Sequence, residues 1–162
     1  MKVVVVTGGF DPIHSGHIEY FQAAKELGDF LMVGVNSDEW LTRKKGRPFM
    51  NHSERKTIVG MIKGVGHAFS FRDDDGSAID AIEYAKKMFP RAEIIFANGG
   101  DRTKDNIPEM SVDDVTFEFG VGGENKLNSS SWILEEWKSP KTERPWGYYR
   151  VLHEVEGMKV KE

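Results

Sequence analysis

Val3-Val4-Val5-Val6 is an unbroken run of β-branched residues that ends on Thr7-Gly8-Gly9. From Ile18 the apolar residues recur at helical spacing, as Ile18, Phe21, Ala24 and Leu27, with Gly28 as a stop. A strand with no polar alternation must be covered on both faces, and a helix that follows it through a short turn supplies one of the covers. The rest of the chain repeats this alternation. Phe30 to Val35 predicts a second strand, His67 to Phe71 a third, Glu93 to Ala97 a fourth and Val115 to Phe119 a fifth. Asn51 with Glu54 three residues on predicts a capped helix carrying Ile58, Val59 and Ile62. A further helix is expected over Ser77 to Met88, and Ser129 to Ser131 are helix-starting residues ahead of Ile133, Leu134 and Trp137. The expected class is α/β, an open parallel sheet with helices on both faces.

Composition narrows the function classes. With 39% hydrophobic and 30% charged residues the chain is ordinary globular protein rather than a disordered segment. A net charge of -4 argues against nucleic acid as a partner. No apolar run approaches the ~20 residues of a membrane span, and the N-terminus lacks the longer apolar region of a signal peptide. With no cysteine, thiolate metal sites and disulfides are excluded. A cytoplasmic setting is expected. The one dense basic run, Arg43-Lys44-Lys45-Gly46-Arg47, reads either as a solvated surface loop or as an anion site.

The first strand-to-helix turn, Thr7-Gly8-Gly9-Phe10-Asp11-Pro12-Ile13-His14-Ser15-Gly16-His17, is neither a Walker loop nor a dinucleotide GxGxxG. Glycines there let the backbone approach a phosphate, and His14 and His17 flank a helix start, where free N–H groups and the helix dipole favour an anion. Two imidazoles at such a point suit phosphate oxygens. No third ligand at metal-binding spacing accompanies them, so no metal site is expected.

This turn, with the residues that follow, resembles the signature of the cytidylyltransferase-like nucleotidyltransferases. Leu27-Gly28-Asp29 and Val33 to Glu39 are similar to the family's first helix end and second strand. Lys44, Lys45 and Arg47-Pro48 resemble its basic loop, and Ser53-Glu54-Arg55 its E-R segment. Asn98-Gly99-Gly100-Asp101-Arg102 resembles its G-G-D motif, and Asn128-Ser129-Ser130-Ser131 its final S-T-T segment. Order and spacing agree over about residues 3 to 137, with wording nearest the heptose-phosphate and glycerol-phosphate branches. Gly122-Gly123-Glu124 stands where some cytidylyltransferases carry an Arg-Thr pair.

The resemblance implies a Rossmann-like sheet and transfer of CMP or AMP from CTP or ATP to a phosphorylated polyol or sugar, with release of pyrophosphate. It implies His14, His17, Lys44 and Arg55 as catalytic residues. Thr7, Gly8, Gly9, Phe10, Asp11, Gly16, Gly100, Asp101, Ser129 and Ser130 would bind the nucleotide. Asp38 and Lys45 would bind the acceptor. Mg2+ would accompany the triphosphate, and a homodimer is expected. Asp11 could instead organise its loop through an Asx-type turn before Pro12.

Residues 1–138 are expected to form the transferase domain and 139–162 a short β extension. Within the latter, Lys141 to Leu152 resembles the opening of the cupin domain of type II mannose-6-phosphate isomerases, too short to imply that activity. Two other readings compete. One is a fragment related to class I aminoacyl-tRNA synthetases, disfavoured by the short chain and the lack of a K-M-S-K-S-like loop. The other is a catalytically decayed nucleotide-binding or assembly module.

Overall fold

A computed structural model describes residues 1–100, 102–123 and 129–139. Five strands form one sheet in the order β3-β2-β1-β4-β5. They are β1 (Lys2–Gly8), β2 (Phe30–Val35), β3 (His67–Ser70), β4 (Glu93–Ala97) and β5 (Val115–Glu118). Every pairing is parallel, with Val3 beside Phe30 on one side and Ile94 on the other. Around the sheet lie α1 (Ser15–Lys25), α2 (Asp38–Lys45), α3 (His52–Gly60), α4 (Ile79–Met88) and α5 (Ser130–Lys138), with a 3-10 turn over Pro108–Ser111.

The valine run occupies the centre of this sheet, and all four valines are fully buried. Side chains alternate across a strand, so the run feeds two cores. Val3 and Val5 pack with Met32, Phe69, Ile82 and Phe96 beneath α4. Val4 and Val6 pack with Phe21, Leu31, Val33 and Val59 beneath α1 and α3. Two-sided burial of this kind is why the strand carries no polar alternation.

The chain winds outward from β1 through β2 to β3, then returns to the other side of β1 as β4. Such a reversal leaves a crevice at the carboxyl ends of β1 and β4, the usual ligand position in open α/β sheets. Two differences from the sequence expectation bear on the crevice, beside shifts of one or two residues at the ends of β3, α4 and β5. The first helix begins at Ser15 rather than Ile18, because His14 caps it. Arg43, Lys44 and Lys45 form the last turn of α2 rather than a loop, and only Gly46 (φ 94°) and Arg47 of the basic run lie beyond it. Cations there oppose the negative end of the helix dipole. The expected extension over 139–162 lies, apart from Ser139, outside the described residues.

Candidate nucleotide-transfer site

The loop after β1 is held in shape by packing. A Cβ at Gly8 would come within 2.9 Å of the Phe10 ring, and one at Gly9 within 2.8 Å of Leu41 Cδ2. Both glycines are therefore required by their neighbours inside the protein. Phe10 itself adopts φ 51°, a left-handed conformation that a side chain rarely takes. Its buried ring meets His17 and Phe21 edge-on, each at 5.1 Å, and this packing holds the strained backbone.

His14 and His17 cap α1 reciprocally. The Gly16 N–H donates to His14 Nδ1 at 3.0 Å, and the His14 N–H donates to His17 Nδ1 at 3.2 Å. A backbone N–H can only donate, so each Nδ1 presents a lone pair and each neutral ring carries its proton on Nε2. The rings stack with centroids 3.8 Å apart. Burial lowers the His14 pKa to about 4. Burial, then the neighbouring His14, then Lys45 lower that of His17 to about 3. Near neutral pH both imidazoles are uncharged and side by side, and no hydrogen bond among the described residues uses either Nε2.

Asp11 is 2% exposed and its carboxylate accepts from Phe49 N at 2.6 Å and Met50 N at 2.7 Å. Lys45 Nζ lies 3.2 Å from the same carboxylate and donates to the Asp11 carbonyl. Asp11 thus pins the segment between α2 and α3 to the first loop. It does not fit as a magnesium ligand, since its oxygens already face two N–H groups and an ammonium. Among the described residues no group of three His, Cys, Asp or Glu side chains could hold a metal ion.

The two lysines of the basic run diverge. Lys45 stands beside Asp11 and His17, whereas the Lys44 ammonium sits 4.5 Å from the centre of the Trp40 ring. Arg55 is 1% exposed. It donates to the carbonyls of Met50, Gly9 and Asn36 and to Asp38 Oδ1 at 2.7–2.9 Å. It joins the ends of β1 and β2 to α2 and α3.

From the far side, α5 brings its N-terminus to the same loop. Ser129 accepts from Trp132 N as the helix cap, and Ser130 Oγ donates to the Pro12 carbonyl at 2.8 Å. After β4, a Cβ at Gly99 would lie 3.2 Å from both Tyr20 Cε2 and the Val121 carbonyl, and Gly100 has φ 65°. Asp101 lies outside the described residues. Thr7 lies near the end of β1, Gly16 in the first turn of α1 and Asp38 at the start of α2. A cleft of about 630 Å3 adjoins the crevice between the α2–α3 segment and α5, lined by Lys45, Arg47, Phe49, Leu134, Trp137 and Lys138.

Three contributors escaped the sequence reading. Trp40 covers Gly9, where a Cβ would meet its ring at 3.3 Å. Tyr20 donates to the Ala97 carbonyl at 2.5 Å, and burial raises its pKa, keeping the phenol protonated. Asp73 holds Ser37 and Asn36. Only α2 left a signal: Ser37 followed by Asp38-Glu39 is a capping residue with acids in the first turn.

A family model described as Cytidylyltransferase-like matches residues 5–133, from β1 to the first turn of α5. The chain belongs to the cytidylyltransferase-like family of nucleotidyltransferases. This cytidylyltransferase-like chain is 33% identical over 143 residues to the Bifunctional protein HldE of Pelobacter propionicus, covering 84% of itself and 28% of that relative. It is 33% identical over 141 residues to the Bifunctional protein HldE of Helicobacter pylori, covering 85% of itself and 28% of the relative. It therefore spans little more than a quarter of the length of these curated relatives. Among solved structures it is similar to the lipopolysaccharide core biosynthesis protein of Thermoplasma volcanium. There the TM-score is 0.55 and the identity 25%, covering 74% of this chain and 95% of that one. A bifunctional NMN adenylyltransferase/ADP ribose pyrophosphatase of Francisella tularensis shares the fold at 11% identity and TM-score 0.61, covering 98% of this chain and 50% of that one. No helix among the described residues is long and apolar enough to cross a membrane.

Proposed function

We propose that this chain transfers CMP or AMP from CTP or ATP to a phosphorylated polyol or sugar, releasing pyrophosphate. The observation that carries the reading is the reciprocal histidine cap. It leaves two Nε2–H donors adjacent at a helix N-terminus, where an anion is already favoured.

In this reaction an oxygen of the acceptor phosphate attacks the α-phosphorus in line. The bond to the bridging oxygen of the β-phosphate breaks, and pyrophosphate leaves. The acceptor phosphate is ionised near neutral pH, so no general base is needed. Catalysis then rests on positioning and on charge stabilisation. His14 and His17 would donate to oxygens of the reacting phosphate. Lys45, whose charge acts on His17, would supply a cation to the same phosphate, and Lys44 would serve the acceptor. Ser129 and Ser130 would present the α5 N-terminus to the β- and γ-phosphates. Thr7, Gly8, Gly9, Phe10, Gly16, Gly100 and Asp101 would line the nucleotide. Arg55 and Asp11 would act by holding these elements together, and Asp38 by pairing with Arg55. Mg2+ would enter on the triphosphate oxygens and offset their charge.

A sugar phosphate is the favoured acceptor. Two relatives carry the HldE name, and a similar structure is called a lipopolysaccharide core biosynthesis protein. The adjoining cleft is within the volume range of small-molecule sites. We further propose a cytoplasmic homodimer in which residues 1–138 form the transferase unit and 139–162 an extension.

The test is pyrophosphate release with Mg2+, pairing CTP and ATP with a panel of phosphorylated sugars and polyols, beside a His17→Ala control. Turnover with one pair, lost in the control, supports the reading. Nucleotide binding with no turnover across the panel overturns it in favour of a binding module.

A further inference from the structure

Helix α2 is held only weakly by apolar burial. Of its eight residues only Leu41 is buried. Yet it carries Asp38, Trp40, Lys44 and Lys45, four of the groups that frame the crevice. Something other than the core must fix where it stands.

Asp73, in the segment between β3 and α4, meets both ends of this helix. Its Oδ2 accepts from Ser37 N at 2.8 Å and Asn36 Nδ2 at 2.9 Å, and its Oδ1 accepts from Ser37 Oγ at 2.7 Å. Ser37 is the α2 N-cap, so the hydroxyl that receives the Trp40 N–H is itself oriented by Asp73. At the other end Arg43 Nη2 donates to the Asp73 carbonyl at 2.8 Å. Asn36, held by the Asp73 side chain, offers its own carbonyl to Arg55. The clamp is anchored in turn. Glu109, 1% exposed, accepts from Ala78 N at 2.7 Å and fixes the end of the segment that Asp73 begins. Asp73 is 4% exposed. Burial alone would raise its pKa, but the hydrogen bonds from Ser37 and Asn36 outweigh that, and the net shift is downward.

We propose that Asp73 is a positioning residue for nucleotidyl transfer: by clamping α2 at Ser37 and Arg43 it sets the placement of Lys45 beside Asp11 and His17. The hydrogen bonds of Asp73 run to Asn36, Ser37 and Arg43, so its proposed action is through α2. The inference rests on the transferase reading, so its test has one arm that needs no turnover. A polar clamp on a weakly buried helix controls its local opening, which amide exchange reads directly. A small misplacement of a catalytic group lowers the rate by up to about a hundredfold.

Asp73→Ala and the milder Asp73→Asn would be compared with the wild type as full chains. Amide exchange is followed over residues 38–45, with β1 and α4 as internal references. Pyrophosphate release is measured alone and in a Lys45→Ala background. The expected result is exchange faster by about tenfold or more, confined to α2, as for a local opening. The rate constant kcat should fall between about tenfold and a hundredfold while the nucleotide KM stays within about twofold. In the Lys45→Ala background the same substitution should cost less than about threefold, because the residue it positions is gone. Unchanged α2 exchange, or losses that simply multiply with Lys45→Ala, would overturn the proposal. If Asp73→Ala fails to fold, Asp73→Asn decides on the same criteria. Should the wild type show no turnover with any acceptor, the transferase reading fails, while the exchange arm still reports whether Asp73 holds α2.

Discussion

Lys45 grips Asp11 at two points: its ammonium lies 3.2 Å from the carboxylate and also donates to the backbone carbonyl. The same ammonium is one of the charges that depress the His17 pKa. Lys45→Ala should therefore lower pyrophosphate release by about a hundredfold, the usual loss for a group that stabilises transition-state charge. It should also raise the His17 pKa, measurable by NMR titration of the imidazole. Lys44→Ala should slow the reaction less than Lys45→Ala, because Lys44 stands over Trp40 whereas the charge of Lys45 acts on His17.

Acid stability follows from the two buried imidazoles. Unfolded, each titrates near 6.5; folded, His14 and His17 titrate near 4 and 3. Between these limits the unfolded chain binds protons that the native chain does not, so stability rises with pH across the window. The contribution is complete above about pH 6.5 and fades as the pH falls toward the folded values. Denaturant midpoints at pH 7 and pH 5 should differ in the wild type, and His17→Gln should shrink the difference.

Arg55→Leu should unfold more than it inactivates. It strips donors from the carbonyls of Met50, Gly9 and Asn36 and leaves Asp38 unpaired. Breaking a buried charged network of this kind costs about 3–5 kcal/mol. The melting temperature should drop by about 10 °C for a chain of this size. A variant that melts like the wild type but has lost turnover would instead place Arg55 on a substrate.

Gly9→Ala tests the close approach of α2 to the first loop. The new methyl would sit 2.8 Å from Leu41 Cδ2 and 3.3 Å from the Trp40 ring, so the Leu41 side chain or the helix that carries it must shift. Overpacking of this sort costs about 1–3 kcal/mol. Calorimetry should show that loss, and Trp40 fluorescence should change with it.

Much of the sheet was legible in the sequence because burial on two faces leaves a plain mark. Val3 to Val6 and Ile94 to Ala97 could hardly be anything but central strands. Asn51 declared its helix, and its side chain accepts from Glu54 N as that signature requires. The start of α1 was misplaced because its cap is a histidine, outside the usual set of small polar caps, and because Gly16 breaks the apolar rhythm. Helix α2 went unseen because seven of its eight residues are not buried, so no apolar period exists to read. The crevice was legible as a list of residues but not as a division of roles. That Lys45 rather than Lys44 turns toward Asp11 depends on which way the last turn of α2 faces, and that is set by contacts with Asp73 and Asp11 from distant parts of the chain.

The hydrogen bond from Ser130 to the Pro12 carbonyl joins residues 118 apart in sequence. It bears on the order in which the protein is made. A ribosome can release the whole parallel sheet, and the histidine turn with it, before α5 emerges. Until α5 docks, the first loop lacks the wall that Ser129 and Ser130 provide. A nascent chain would therefore complete its cradle for a triphosphate only after β5 has been made, so competence to hold nucleotide would report that the five strands are already in place.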